Sequence, residues 1–115
     1  MRKKLSGKVI KGKLEGQKIG FPTANIYFEP GFKSGIYAGR VQHLKQEYLS
    51  AIYIDPNEKI IEAHLLNFKG DLYNQILEIS IEKKIRDHQV FPEYDTLISQ
   101  IQKDIQAVKN FYRGK

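Results

Sequence analysis

Glycine occurs at positions 7, 12, 16, 20, 31, 35 and 39 of this 115-residue chain, and no other feature constrains the fold as strongly. Each Gly inside a helix costs about 1 kcal/mol relative to Ala, so such short intervals leave no room for one there. The first three quarters of the chain read as strands and turns instead. Leu77-Glu78-Ile79-Ser80-Ile81-Glu82 alternates apolar and polar side chains, which sends them to opposite faces of a sheet. Gly35 to Leu44 and Tyr48 to Ile54 are rich in β-branched and aromatic residues. Asp55-Pro56-Asn57-Glu58 has turn composition, Lys59 to Phe68 resumes as a strand, and Lys69-Gly70-Asp71 turns again. Many short strands joined by Gly-rich turns predict a mainly β chain, an antiparallel barrel or sandwich.

The period changes after Pro92. Leu97, Ile98, Ile101, Ile105, Val108 and Tyr112 recur at three- and four-residue steps, as on one buried helical face. Gln100, Lys103, Gln106, Lys109 and Asn110 fill the opposite side. Pro92 suits a first-turn position, Glu93 and Asp95 favour the positive end of the helix dipole, and Gly114 marks the stop. A helix of roughly 18 residues would reach about 27 Å, enough to lie across one side of a small barrel. The expectation is a β-barrel closed by a C-terminal α-helix packed on it, forming one domain over residues 1–115.

Composition bounds the function. With no Cys, a disulfide scaffold, thiolate zinc sites and thiol catalysis are excluded. No apolar run approaches the roughly 20 residues that span a bilayer, and the basic start at Met1-Arg2-Lys3-Lys4 has no apolar stretch behind it. A soluble, cytoplasmic protein without a membrane partner is expected. The 19 Lys and Arg outnumber the 13 Asp and Glu, for a formal charge of +6. Polyanions are therefore plausible partners, whether nucleic acid or phosphorylated small molecules, and a merely solubilising basic surface is equally compatible.

Chemistry concentrates in Gly20-Phe21-Pro22-Thr23-Ala24-Asn25. Pro22 fixes its own φ and pushes Phe21 into an extended conformation. Thr23 and Asn25 then share one side of the chain, presenting a hydroxyl and a carboxamide oxygen. Both are hard neutral ligands suited to a Mg²⁺ that already carries nucleotide phosphates. Gly12 and Gly20 would let a phosphate chain approach the backbone closely. A plain strand start with an Asn turn is the competing reading. Glu62 is the second candidate. It lies in Ile60-Ile61-Glu62-Ala63-His64-Leu65-Leu66, apolar on both sides, where a desolvated carboxylate would serve as a general base near neutral pH. A rim Glu paired with Lys or with His64 is the alternative. His43, His64 and His88 show no metal spacing. Gly7 to Lys13 matches the start of a P-loop, but Leu14 stands where Ser or Thr must hold magnesium, and no helix is expected after it.

Together the segments resemble the riboflavin kinase (flavokinase) family. They are Gly7, Val9 and Gly12; Ile19 to Asn25; Ser34 to Gly39; Glu62 to Leu66; Asp71-Leu72-Tyr73; Ile85-Arg86 with Phe91; and Gln100 to Ile105. These blocks run in order from about residue 5 to residue 110. The resemblance implies a six-stranded antiparallel Greek-key barrel with a C-terminal helix. It implies transfer of the ATP γ-phosphoryl group to the 5′-hydroxyl of riboflavin, giving FMN and ADP; a monomer without a nucleic-acid partner is expected. By the same resemblance Thr23 and Asn25 hold Mg²⁺ and the phosphates, and Glu62 takes the proton from the ribityl hydroxyl. Gly12, with Gln17 and Lys18, would line the phosphates. Leu65, Asn67 and Tyr73 fall where the family contacts nucleotide, and Arg86, Gln89 and Phe91 where it contacts the flavin.

The chain departs from the family pattern at three places. Gln17 stands where Arg or Lys is usual, Asn74 replaces the Gly after Asp71-Leu72-Tyr73, and the connection before the Glu62 strand is cut to Asp55–Lys59. Loop ordering completes such sites, so a flavin- or nucleotide-binding protein of the same fold without turnover is the second implied reading. A barrel binding single-stranded nucleic acid is a third class. It needs aromatics stacked on an exposed sheet face, whereas Tyr37, Tyr53, Phe68 and Tyr73 are interleaved with Gly and aliphatics as in a core.

Overall fold

The computed structural model describes residues 3–11, 20–27, 33–56 and 59–114. Six strands carry the architecture: β1 (Lys3–Ile10), β2 (Ala24–Tyr27), β3 (Gly35–His43), β4 (Gln46–Ile54), β5 (Ile60–Leu65) and β6 (Ile76–Arg86). One helix, α1 (Tyr94–Arg113), follows them. The strands close into a barrel in the order β1-β2-β5-β4-β3-β6, every neighbouring pair antiparallel. β3, β4 and β5 follow one another around the wall, and β6 returns beside β3, which is the Greek-key arrangement.

Alternation sorts the wall into two faces. Ile26, Val41, Ile52, Ile61, Ala63, Leu77, Ile79 and Ile81 fill the interior. On the outside Ala38, Ala51 and Leu66 meet Val108 of α1, with Tyr53, Ile105 and Tyr112 packed around them. The period-two pattern of Leu77–Glu82 thus becomes the inner and outer faces of β6. Gly39 shows why one β3 position must lack a side chain. A Cβ there would overlap the Ser80 carbonyl oxygen and Ile52, at a register shift between β3 and β6.

Several boundaries differ from the sequence reading, each for a local reason. β5 ends at Leu65, short of Phe68, because Asn67 takes a left-handed conformation (φ 60°) in the following turn. Pro92 sits ahead of the helix: Glu93 is the N-cap and Tyr94 the first helical residue. Gly114 does cap the C-terminus. Glu62 does not sit in a stretch buried on both faces. Ile61, Ala63 and Leu65 point inward, while Ile60, Glu62 and His64 are only half-buried on the outer side. The P-loop match dissolves, since Gly7–Ile10 is the second half of β1. At Asn74, the position of the family glycine, φ is 70°. Asn tolerates this region better than other non-Gly residues, so the departure keeps the backbone path.

Candidate active site

Pro22 and Thr23 lead into β2, and an outward-facing residue of β5 steadies them. His64 Nδ1 donates to the Pro22 carbonyl oxygen at 2.8 Å, and the His64 ring meets Phe21 edge-on at 5.7 Å. His64 is therefore a packed strand residue that orients the Pro22–Thr23 backbone. Thr23 and Asn25 lie two positions apart and share the outer face, because Ala24 and Ile26 between and after them point into the core. Thr23 Oγ1 donates to Glu62 Oε1 at 3.3 Å. Asn25 is the direct register partner of Glu62 across the β2–β5 ladder, which sets their Cβ atoms about 5 Å apart. Hydroxyl, carboxamide and carboxylate gather on one patch of outer wall, not across the barrel mouth from each other.

That patch borders a cleft of about 590 Å³ at the end of the barrel. Its lining includes Ile10 and Lys11 after β1, Pro22 to Asn25, Leu65, and the turn from Phe68 to Tyr73. Leu65 and Tyr73, both expected as nucleotide contacts, line this cleft, while Asn67 is exposed in the turn after β5 and does not. Asp71 Oδ1 accepts the Tyr73 N–H at 2.8 Å, an Asx turn that orients the Tyr73 backbone. Gly12 and Lys18, with Gln17, lie outside the described residues.

Register extends the patch in the other direction. Asn25 pairs with Glu62, Glu62 with Tyr53, Tyr53 with Ile36, and Ile36 with Arg86, one transverse row over five strands. At about 4.8 Å per strand the row runs roughly 19 Å along the curved wall. The Arg86 guanidinium is already engaged at its end. Nε and Nη2 donate to the two carboxylate oxygens of Asp104, each at 2.8 Å, and Nη1 donates to the Asp87 carbonyl oxygen at 3.0 Å. Its plane lies against the Phe91 ring, 5.7 Å from the centroid. Phe91 is half-buried and Gln89 exposed on the same segment. Arg86 thus ties residues 87–91 to the helix and reaches outward through Phe91.

Sequence reasoning passes over Asp104, which is only 1% exposed. Gln100 Nε2 also donates to it at 3.0 Å. A signal exists: Ile101, Asp104 and Val108 are the buried residues of the helix, so a carboxylate stands on the apolar stripe. Tyr53, expected in the core, lies on the outer face under α1, and its hydroxyl is buried without a hydrogen-bond partner among the described residues. Burial, and then the Asp104 charge, raise the Tyr53 pKa. Tyr73, also expected in the core, is 47% exposed.

Comparison with known proteins gives this constellation a family. A family model described as "Flavokinase: Riboflavin kinase" matches residues 2–112. The chain is 37% identical over 119 aligned positions to the bifunctional riboflavin kinase/FMN adenylyltransferase of Buchnera aphidicola subsp. Acyrthosiphon pisum, an alignment covering 94% of this chain and 38% of that one. It is 37% identical over 112 positions to the RNA-binding riboflavin kinase RibR of Bacillus subtilis, covering 90% of this chain and 49% of that one. The chain thus spans less than half the length of these curated relatives. Among solved structures, the riboflavin kinase from Trypanosoma brucei superposes with a TM-score of 0.74 at 26% identity, covering 97% of this chain and 78% of that one. A closed Greek-key barrel with the Thr23, Asn25 and Glu62 patch on its outer wall, and a family match along nearly its whole length, make this chain a member of the riboflavin kinase family.

Proposed function

We propose that this chain transfers the γ-phosphoryl group of ATP to the 5′-hydroxyl of riboflavin, giving FMN and ADP. One observation carries the reading: Thr23 and Asn25 line the mouth cleft and at the same time adjoin Glu62 on the outer wall. A donor in the cleft and an acceptor along the wall would meet at these residues. Phosphoryl transfer is catalysed mainly by such positioning and by charge stabilisation.

The parts divide accordingly. Nucleotide occupies the cleft against Leu65 and Tyr73, with Asn67 on the adjoining turn, and Gly12 and Lys18 belong to the phosphate side by family resemblance. Thr23 Oγ1 and Asn25 Oδ1 are oxygen donors that would complete the shell of a Mg²⁺ brought in by the phosphates. Among the described residues no group of three His, Asp or Glu could hold an ion unaided. That composition suits an ion sharing most of its ligands with substrate and water. Glu62 accepts the proton of the ribityl hydroxyl as that oxygen attacks phosphorus. The flavin lies along the row toward Arg86, Gln89 and Phe91, where Phe91 offers a ring face and Arg86 holds it in place. We place the kinase domain over residues 1–115 and read it as a monomer of the cytoplasm. Nucleic acid stays outside the proposal, because Tyr37 is buried in the core and Tyr53 is covered by α1.

The test is incubation of purified protein with riboflavin and MgATP, followed by chromatography for FMN. The expected result is FMN formation that Glu62→Gln slows by about 10²- to 10⁴-fold. Flavin fluorescence quenched on binding with no FMN would replace the enzyme by a binding protein of the same fold. An oligonucleotide complex in place of flavin binding would move the chain to the third class.

A further inference from the structure

The cleft carries two ammonium groups against a single carboxylate among its described lining residues. Lys11 and Lys69 both line it, against Asp71 as the one acidic lining residue. Asp71 Oδ1 accepts the Tyr73 N–H, and neither lysine forms an ion pair with the carboxylate. Their places differ. Lys69 sits in the turn before Gly70, whereas Lys11 directly follows Ile10, the register partner of Asn25. Lys11 is therefore one residue along the chain from the register partner of the oxygen ligand proposed to face the phosphates. Its ammonium is held over the Tyr73 ring, 5.4 Å from the centroid. A cation on an exposed aromatic face is held only weakly, so a polyphosphate can displace the contact.

We propose that Lys11 is a phosphate-recognising cation of the nucleotide cleft, in addition to Lys18, kept over Tyr73 without nucleotide and drawn onto the β- or γ-phosphate when nucleotide binds. This rests on the reading of the cleft as the nucleotide site. The exchange does two things at once. It brings a positive charge beside Asn25, where negative charge is transferred, and it uncovers the Tyr73 ring for a base to stack on. An ammonium on a flexible stem suits this better than a guanidinium, because its contact with phosphate is that of a point charge. The sequence places the device where it can work, at the end of β1 and level with the cleft floor formed by Val9 and Ala63.

Titration calorimetry with ADP and with adenosine, without flavin, separates phosphate recognition from base recognition. Lys11→Gln is expected to weaken ADP binding about tenfold, the equivalent of ~1.4 kcal/mol, and to leave adenosine affinity within about twofold. Lys11→Arg should retain most of the ADP affinity. Lys109→Gln, on the exposed side of α1, controls for net charge and should change neither ligand. Lys11 is exposed, so the variants should fold, and an unchanged thermal midpoint verifies it. Equal loss for ADP and adenosine, or a Lys11→Gln effect no larger than that of Lys109→Gln, overturns the proposal. If unsubstituted protein binds neither ADP nor adenosine, the nucleotide reading of the cleft falls together with it; ADP binding that ignores Lys11 removes this proposal alone.

Discussion

Thr23 is fixed before any ligand arrives. Pro22 limits the backbone, His64 holds the Pro22 carbonyl, and the Thr23 hydroxyl already reaches Glu62. Such preorganisation matters because a catalytic group displaced by about 1 Å loses roughly a hundredfold in rate. Glu62→Gln keeps an oxygen that can accept from Thr23 but removes the proton acceptor. FMN formation should fall about 10²- to 10⁴-fold, the usual share of general base catalysis, while riboflavin quenching is unchanged; rate measurements on the pair decide it. An active Glu62→Gln protein would remove the base assignment. The pairing of Thr23 with Asn25 was legible, because Pro22 forces extended backbone and extended backbone alternates. The position of Glu62 beside them was not: strand neighbours separated by 37 residues (62 minus 25) are set by the ladder register, which no local pattern encodes.

The helix acts through two clamps on the barrel. Asp104 grips Arg86 near the helix middle, and Tyr112 at its end donates to Glu82 at 2.8 Å. The first clamp positions the segment carrying Gln89 and Phe91. Asp104→Asn leaves the Arg86 charge buried without its partner, and breaking such a pair costs roughly 3–5 kcal/mol. The thermal midpoint should drop by about 10 °C or more. Riboflavin affinity should weaken severalfold while ADP affinity holds, since the cleft proposed for nucleotide is lined by no residue of α1. Loss of both affinities together in protein that remains folded would contradict a role confined to the flavin side. The helix itself was plain from its period, yet Asp104 was not, because the apolar stripe predicts which residues face the barrel but not that one of them meets a buried guanidinium. Arg86 could be matched to the family's flavin contact by resemblance, but its hydrogen bonds could not: they depend on the helix docking across β3 and β4, beside β6.

At the scale of the molecule, the proposed function puts nucleotide in the cleft at the barrel mouth and flavin along the wall, and the stability of the barrel should carry a signature in acid. Burial alone would raise the pKa of Glu82, but hydrogen bonds from Arg40, Ser80 and Tyr112 outweigh it and lower it from 4.5 to about 2. A carboxylate depressed in the folded state stabilises fully above its unfolded pKa and loses that contribution as pH falls through the folded one. Glu82 therefore contributes stability at neutral pH that is lost between pH ~4.5 and ~2. Acid unfolding curves should show a steeper limb in that window than those of Glu82→Gln, and coincident limbs would contradict the assignment. A mainly β chain was readable from glycine spacing and alternation, and the expected barrel with its C-terminal helix is what forms; the local pattern does not encode which strands close it, because closure depends on β6 pairing with both β1 and β3. The central claim is that Thr23, Asn25 and Glu62 form one site where cleft and wall meet, and a crystal structure with MgADP and FMN tests it most directly. The account predicts Mg²⁺ about 2.1 Å from the Thr23 and Asn25 oxygens, with the FMN phosphate end within hydrogen-bond reach of Glu62. Nucleotide phosphates bound away from Thr23 and Asn25, or a flavin on another face of the barrel, would contradict it.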